Sequence, residues 1–405
     1  MSFTLTPPHA ITGASPSFPS PVTGSWLHRI ACISTSRSDA GIYEPLLTAL
    51  SEVEPLDITL LAGGTHLSDL HGHTLDDLPA IPRVRIHPVA HQATGDDPCS
   101  VAETAGRAVI EFARALEEAA PDLVFVLGDR TEMLAASLAA QIRGVPIAHL
   151  HGGDTTEGAY DDACRHAITK LSHLHLPALP EHARRIASMA EAPWRIHCVG
   201  APALDALRRF RPLSRGELGR RLGLDLSRPM AVVIFHPETI TTLTPERQIE
   251  ELLAALEGSP LKLLIIGPNA DVGRDAIADA WCGFVRRRPD AVVAASLARE
   301  MFWSCLAHAA VLIGNSSAGL IEAASFRLPV VNIGNRQQGR LRPANVIDAP
   351  LDRSAVGGAI RTALDPSFRV TLAGMTNPYG DGHAAERIVH VLARLPDRQR
   401  LLRKP

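Results

Sequence analysis

No run of about 18 apolar residues occurs in the 405-residue chain, so no transmembrane helix is expected. The opening stretch "MSFTLTPPHAITGASPSFPSPVTGS" has no basic start followed by an apolar block, and no secretory signal is expected from it. It is rich in Pro, Ser and Thr, the composition of a mobile extension. The six cysteines (32, 99, 164, 198, 282 and 305) form no C-x-x-C pair, which points to reduced thiols in a cytoplasmic protein. An excess of either charge is also missing. Lys and Arg number 40 against 43 Asp and Glu, a net charge of −3, which argues against a general nucleic-acid binder. No G-x-G-x-x-G follows the first strand pattern, and no G-x-x-x-x-G-K-[ST] or G-x-S-x-G occurs. These gaps argue against a nicotinamide dehydrogenase, a P-loop enzyme and an α/β-hydrolase.

What is present is an alternation. Hydrophobic residues make up 46% of the chain, enough for substantial cores. From residue 28 onward, short apolar runs ("RIACIST", "LDITLLAGG", "PDLVFVLGD", "VPIAHLHGG") alternate with helical patterns such as "SVAETAGRAVIEFARALEEA". The series restarts with "PMAVVIFHPE", "LKLLIIGPN", "AVVAAS", "AVLIGNSS" and "LPVVNIGNR". Near-continuous apolar strands between helices predict parallel sheets covered on both faces, an α/β chain with two Rossmann-like domains in tandem. The expected division is an extension over 1–26, a first domain over 27–204, a second over 205–380 and a C-terminal helix over 381–405 that returns to the first domain. The join falls near "LDALRRFRPLSRGELGRRLGLDLSRP", where Arg and Leu replace the strand pattern.

Ligands of open parallel sheets sit at the carboxyl ends of the strands, so the polar strand tails are the candidates. Ser316, Ser317 and Gly319 follow one strand and open a helix, where small residues let N–H groups approach an anion. The same serines would serve as a plain N-cap. Glu322 stands further along that helix, either accepting from sugar hydroxyls or facing solvent. Arg336 and Arg340 in "NIGNRQQGR" and Arg37 in the loop "TSRSDAG" are each a phosphate ligand or a solvated arginine. His236 ends its strand before Pro237, placed to bond a phosphate or to cap the strand. Asn269 lies in the tail "GPNAD".

The segment "HLHGGDTTEGAYDDACRHAITKLSH" gathers four histidines and several carboxylates. Metal ligation is disfavoured, because His149 and His151 alternate on a strand and would point to opposite faces. No H-E-x-x-H or Cys–His framework accompanies them. Asp161 and Arg165, four apart, share one helical face. Asp129 ends the strand before. With His151, Asp154 and Glu157 they offer grouped carboxylates whose neighbours can separate their pKa values, as acid–base chemistry requires.

The run "VLGDRTEMLAASLAAQIRGVPIAHLHGGDTTEGAYDDACRHAITKLSH", with "FHPET", "GPNAD", "IGNSSAGLIEAASFRLPVVNIGNRQQGR" and "NPYGDGHAAERI", resembles the hydrolysing UDP-N-acetylglucosamine 2-epimerases, in particular the sialic- and legionaminic-acid branch. The resemblance covers residues 28–395. It implies a glycosyltransferase-B-like fold with two Rossmann-like domains around a cleft. It also implies elimination of UDP through a 2-acetamidoglycal and rehydration with inversion at C2, with no metal or redox cofactor. A homo-oligomer, dimer or tetramer, is expected on the same ground, with a nucleotide sugar as the partner molecule and neither nucleic acid nor membrane. UDP-GlcNAc is the expected substrate, with UDP-diacetylbacillosamine or GDP-GlcNAc as alternatives. A glycosyltransferase or a non-catalytic nucleotide-sugar binder would share the fold. By position, Asp129, Asp161 and Arg165 match the acid–base set. Arg37, His236, Asn269, Ser316, Ser317, Gly319, Glu322 and Arg336 match the nucleotide diphosphate end. Many relatives read "HIEGGE" where this chain reads "HLHGGD", so His151 stands at the family's glutamate. His151, Asp154 and Glu157 are the candidates for its role.

Overall fold

The computed structural model describes residues 26–68, 73–91, 97–155, 161–238, 241–268 and 273–404. The proposed extension, up to Trp26, lies almost wholly outside these, as do Glu157 and Asn269.

Two six-stranded sheets form. The first contains β1 (Arg29–Ser34), β2 (Asp57–Gly63), β3 (Val84–Val89), β4 (Leu123–Leu127), β5 (Ile147–Leu150) and β6 (Leu174–Leu176). The second contains β7 (Met230–Ile234), β8 (Lys262–Ile266), β9 (Ala291–Ala294), β10 (Val311–Gly314), β11 (Val330–Ile333) and β12 (Val346–Ala349). The orders are β3-β2-β1-β4-β5-β6 and β12-β11-β10-β7-β8-β9, the same winding twice. Every described strand pairing is parallel. The central runs "LVFVL" and "MAVVI" are buried throughout, because helices cover both faces. On β7 the period of two is visible in the packing. Ala231 and Val233 face a core with Trp281 and Phe284, while Met230, Val232 and Ile234 face one with Trp303 and Leu306.

Three strands carry no clear apolar run, and they are edge strands. In β3, "VRIHPV", most residues stay partly exposed, and Pro88 is tolerated because an edge strand has one unpaired side. The other two, "LHL" and "VIDA", are short. The helical pattern after Ser317 also breaks: an α-helical turn at Ala318–Ile321 gives way to a 3-10 turn at Ala323–Phe326. Its small residues Ala318, Gly319, Ala323 and Ala324 are all buried.

The helix Ala384–Leu392 places Ile388, Val389 and Leu392 in the core of the first sheet. The chain after it is held there as well. Arg195, buried in the first half, donates to the carbonyls of Leu401 at 2.7 Å and Arg403 at 2.6 Å. Trp26 Nε1 donates to Pro396 O at 3.0 Å. No described helix is long and apolar enough to cross a membrane. All six cysteines are free.

Candidate active site

In each sheet the winding reverses at the central pair, β1/β4 and β7/β10; ligands of open parallel sheets sit beyond the strand ends at such a point. After β1 the chain turns directly into the helix Arg37–Ser51 with Ser36 as N-cap. Arg37 is therefore the first helical residue, not a loop residue: the N-cap hydroxyl starts the helix earlier than its apolar pattern does. Arg37 pairs with Asp77 and donates to Ser296 Oγ at 3.2 Å. Asp39 is buried and accepts from both Thr35 N and Thr35 Oγ1 at 2.9 Å, with Arg130 Nε 3.8 Å away.

Asp129 follows β4 and pairs with Arg165. That guanidinium is 1% exposed and also donates to Asp162 Oδ1 at 2.8 Å. Alongside Asp161, which heads the same helix, Arg165 binds its i−3 neighbour and reaches across to β4, because helical side chains lean back toward the N-terminus. Burial, with Arg340 and Arg185 nearby, pushes the Arg165 pKa down, and the two carboxylates balance its charge.

The histidines of this segment divide. His149 bonds Gly128 O through Nε2 at 2.8 Å and Thr169 Oγ1 through Nδ1 at 3.2 Å, bracing the turn that carries Asp129. Burial pushes its pKa down to about 3. A carbonyl only accepts, so Nε2 carries the proton and the ring is neutral. The strand stops at Leu150, and His151 adopts a left-handed conformation with φ of 59°. His151 therefore lies past the strand, and strand alternation does not set its direction relative to His149. The His151 Nε2 is buried without a hydrogen-bond partner among the described residues, and burial pushes its pKa down to about 4. Asp154 is buried and engaged: Oδ2 lies 3.1 Å from Arg340 Nε and Oδ1 lies 3.3 Å from His182 Nε2. Among the described residues no three His, Cys, Asp or Glu side chains are grouped to hold a metal.

At the second sheet, the Asn315 side chain bridges β10 to the end of β7. Its Oδ1 accepts from His236 N and its Nδ2 donates to His236 O, both at 2.8 Å. Ser316 and Ser317 are half-buried, and Ser317 makes no capping bond with its side chain. The Gly319 N–H donates to Ser316 O at 3.1 Å, and a Cβ there would meet Val330 Cγ1 at 3.0 Å. Its small size lets the turn dock on the sheet. Glu322 is not a solvated helix residue: Oε1 accepts from Trp303 Nε1 at 2.6 Å, and burial pushes its pKa up. Arg336 N donates to Glu238 Oε1 at 3.1 Å and its Nη1 to Asn315 O at 3.4 Å. Asn335 N shares the same Glu238 oxygen at 2.6 Å, and Gly334 has φ of 71°, where a Cβ would collide with that carboxylate.

The strand tails of the two halves face each other. Arg340, after β11, reaches Asp154 and Thr155 O beyond β5, while Arg37 reaches Ser296 beyond β9. Asp129 and Arg165 belong to the tails of the first sheet, and His236, Ser316, Ser317 and Arg336 to those of the second.

Residues 48–393 match the family model described as UDP-N-acetylglucosamine 2-epimerase. The chain belongs to the UDP-N-acetylglucosamine 2-epimerase family. It is 33% identical over 379 residues to the UDP-N,N'-diacetylbacillosamine 2-epimerase (hydrolyzing) of Legionella pneumophila, covering 93% of this chain and 99% of that protein. It is 29% identical over 338 residues to a UDP-N-acetylglucosamine 2-epimerase of Neisseria meningitidis, covering 83% and 88%. A crystal structure of the Neisseria meningitidis UDP-GlcNAc 2-epimerase bound to UDP-GlcNAc superposes with a TM-score of 0.75 at 17% identity, over 91% of this chain and all of that one. The fold of this epimerase is the two-domain glycosyltransferase-B type.

Several side chains that shape the epimerase cleft escaped the sequence reading. Glu238 and Asn315 stand inside quoted motifs, but their hydrogen bonds tie together strands about 80 to 100 residues apart. His182, the partner of Asp154, has no local signature. Asp162, next to Asp161, was available by i,i+3 spacing to Arg165.

Proposed function

We propose that the chain is a hydrolysing 2-epimerase of a UDP-linked 2-acetamido sugar. The observation that carries this reading is the meeting of the two sets of strand tails, Arg340 on Asp154 and Arg37 on Ser296, with Asp129 held by buried Arg165 after β4 and Arg336 held by Glu238 and Asn315 after β11. The basic and hydroxyl groups of the second half hold the diphosphate, Arg336 by its planar fork. The carboxylates Asp129 and Asp161 handle protons at C2 and at the leaving oxygen. Loss of the C2 proton and expulsion of UDP give a 2-acetamidoglycal, and water then adds to the opposite face. The products are UDP and the free 2-epimer.

For the third group, Asp154 is committed to Arg340 and His182, which leaves His151 and Glu157. A neutral imidazole with a pKa of about 4 is about as basic as an ordinary glutamate, near 4.3. His151 can therefore take a proton where relatives use a carboxylate, without adding negative charge beside the substrate. UDP-GlcNAc is one substrate reading; UDP-diacetylbacillosamine is the second, favoured by the Legionella relative.

The test is incubation with each donor in deuterated water without an acceptor. UDP together with a free, C2-inverted sugar carrying deuterium at C2 is the expected result. UDP release only after adding an acceptor sugar would indicate a glycosyltransferase. Binding without any turnover would indicate a binding protein.

A further inference from the structure

The helix Arg37–Ser51 carries a proline, Pro45, in its interior. Proline has no N–H, so the carbonyl of Gly41, four residues earlier, has no intrahelical donor. Arg299 supplies one from the other half of the molecule. Its Nη1 donates to Gly41 O at 2.7 Å, and its Nη2 lies 2.6 Å from Glu44 Oε2. Arg37, Gly41 and Glu44 follow at spacings of four and three, so they share one helix face. Arg37 on that face reaches Ser296, just before Arg299.

Arg299 is odd on its own helix as well. It is the first residue of Arg299–His308, where the helix dipole disfavours a cation. A local rule broken in this way asks for a compensating partner, and Glu44 provides it. The guanidinium carbon also lies 5.1 Å from the centre of the Trp303 ring, and the Trp303 indole donates to Glu322. One side chain thus touches a first-half helix and the aromatic ring that holds a carboxylate of the second half.

We propose that Arg299 is a positioning residue of the epimerase, a clasp that ties closure of the two halves to the setting of Glu322. The proposal rests on the reading of the cleft as the nucleotide-sugar site. Closure brings the Asp129 rim onto a sugar whose nucleotide the second half holds, and the clasp keeps it there.

The test uses the full chain, with kcat, KM, UDP affinity and thermal unfolding measured for Arg299→Ala, Arg299→Lys and Pro45→Ala. Arg299→Ala is expected to lower kcat/KM by at least about tenfold, the scale of a lost charge-assisted hydrogen bond, with weaker UDP binding where Glu322 is displaced. Arg299→Lys recovers part of that loss. Pro45→Ala returns an N–H to Gly41 O. A carbonyl has two lone pairs, so the clasp weakens without vanishing, and kcat/KM falls by roughly threefold while Tm is not lowered. A merely structural role for this contact gives the opposite for Pro45→Ala, with Tm raised and kcat/KM kept. Unchanged kcat/KM in Arg299→Ala, or in Pro45→Ala should Arg299→Ala not fold, overturns the proposal. If the wild type turns over no nucleotide sugar, the functional reading fails instead. The clasp is then judged by X-ray scattering with UDP: a larger radius of gyration in Pro45→Ala supports it, and an equal one overturns it.

Discussion

Asp154 separates two accounts of the cleft, and replacing it with asparagine distinguishes them. In the structure its carboxylate faces Arg340 Nε at 3.1 Å, His182 Nε2 at 3.3 Å and Thr155 N at 2.9 Å. The side chains of Asp154 and Arg340 are only 5% and 10% exposed. Removing the charge takes a carboxylate away from a guanidinium that is nine-tenths buried, a loss of up to about 3–5 kcal/mol. Arg340 keeps Thr155 O at 2.9 Å and the Gln337 side chain at 2.7 Å, which places the cost at the lower end, about 3 kcal/mol. At roughly 2–4 °C per kcal/mol for a domain of this size, the first unfolding transition falls by about 6–12 °C. Calorimetry measures that shift, and turnover well below the transition is read in parallel. Adding Arg340→Met removes the buried cation and recovers part of the stability. A transition within about 2 °C of wild type, combined with a loss of turnover of about 10²-fold, would refute the bracing role and make Asp154 a proton-transfer group.

Asp129→Asn and Asp161→Asn are each expected to lower kcat by about 10²-fold or more while UDP still binds; undiminished turnover removes that residue from the mechanism. His149, His151, His173 and His182 are kept neutral mainly by burial, with pKa values pushed down to about 3 for His149 and about 4 for the others. The unfolded chain takes up these protons first as pH falls through about 6.5, so their contribution is full above that value and drains toward pH 4, with roughly 2 kcal/mol lost per histidine at pH 5. A denaturation midpoint that does not move between pH 7 and pH 5 contradicts this. Gly319→Ala crowds Val330 and Leu312 and should cost about 1–3 kcal/mol in thermal unfolding with UDP affinity retained. Lost affinity at full stability would return Gly319 to the phosphate site.

The sequence by itself determined the alternation of buried strands and helices, the two-fold repeat of that series and the polar strand tails. Burial leaves a periodic trace along the chain, and "LVFVL" or "MAVVI" can be read without a partner. The edge strands β3, β6 and β12 left little trace, since half-exposed or very short strands need no apolar run. The motifs named Asp129, Arg165, His236 and Arg336 as a set, but not whom each one meets. Those meetings belong to tertiary structure. Asp154 is held by Arg340, Arg165 by Asp129 and Asp162, Glu322 by Trp303, and Gly41 by Arg299 from 258 residues away. A polar side chain can be satisfied by many partners of similar chemistry, so its type and spacing leave the choice open. Only the packing of the two sheets brings one of those partners within hydrogen-bonding distance.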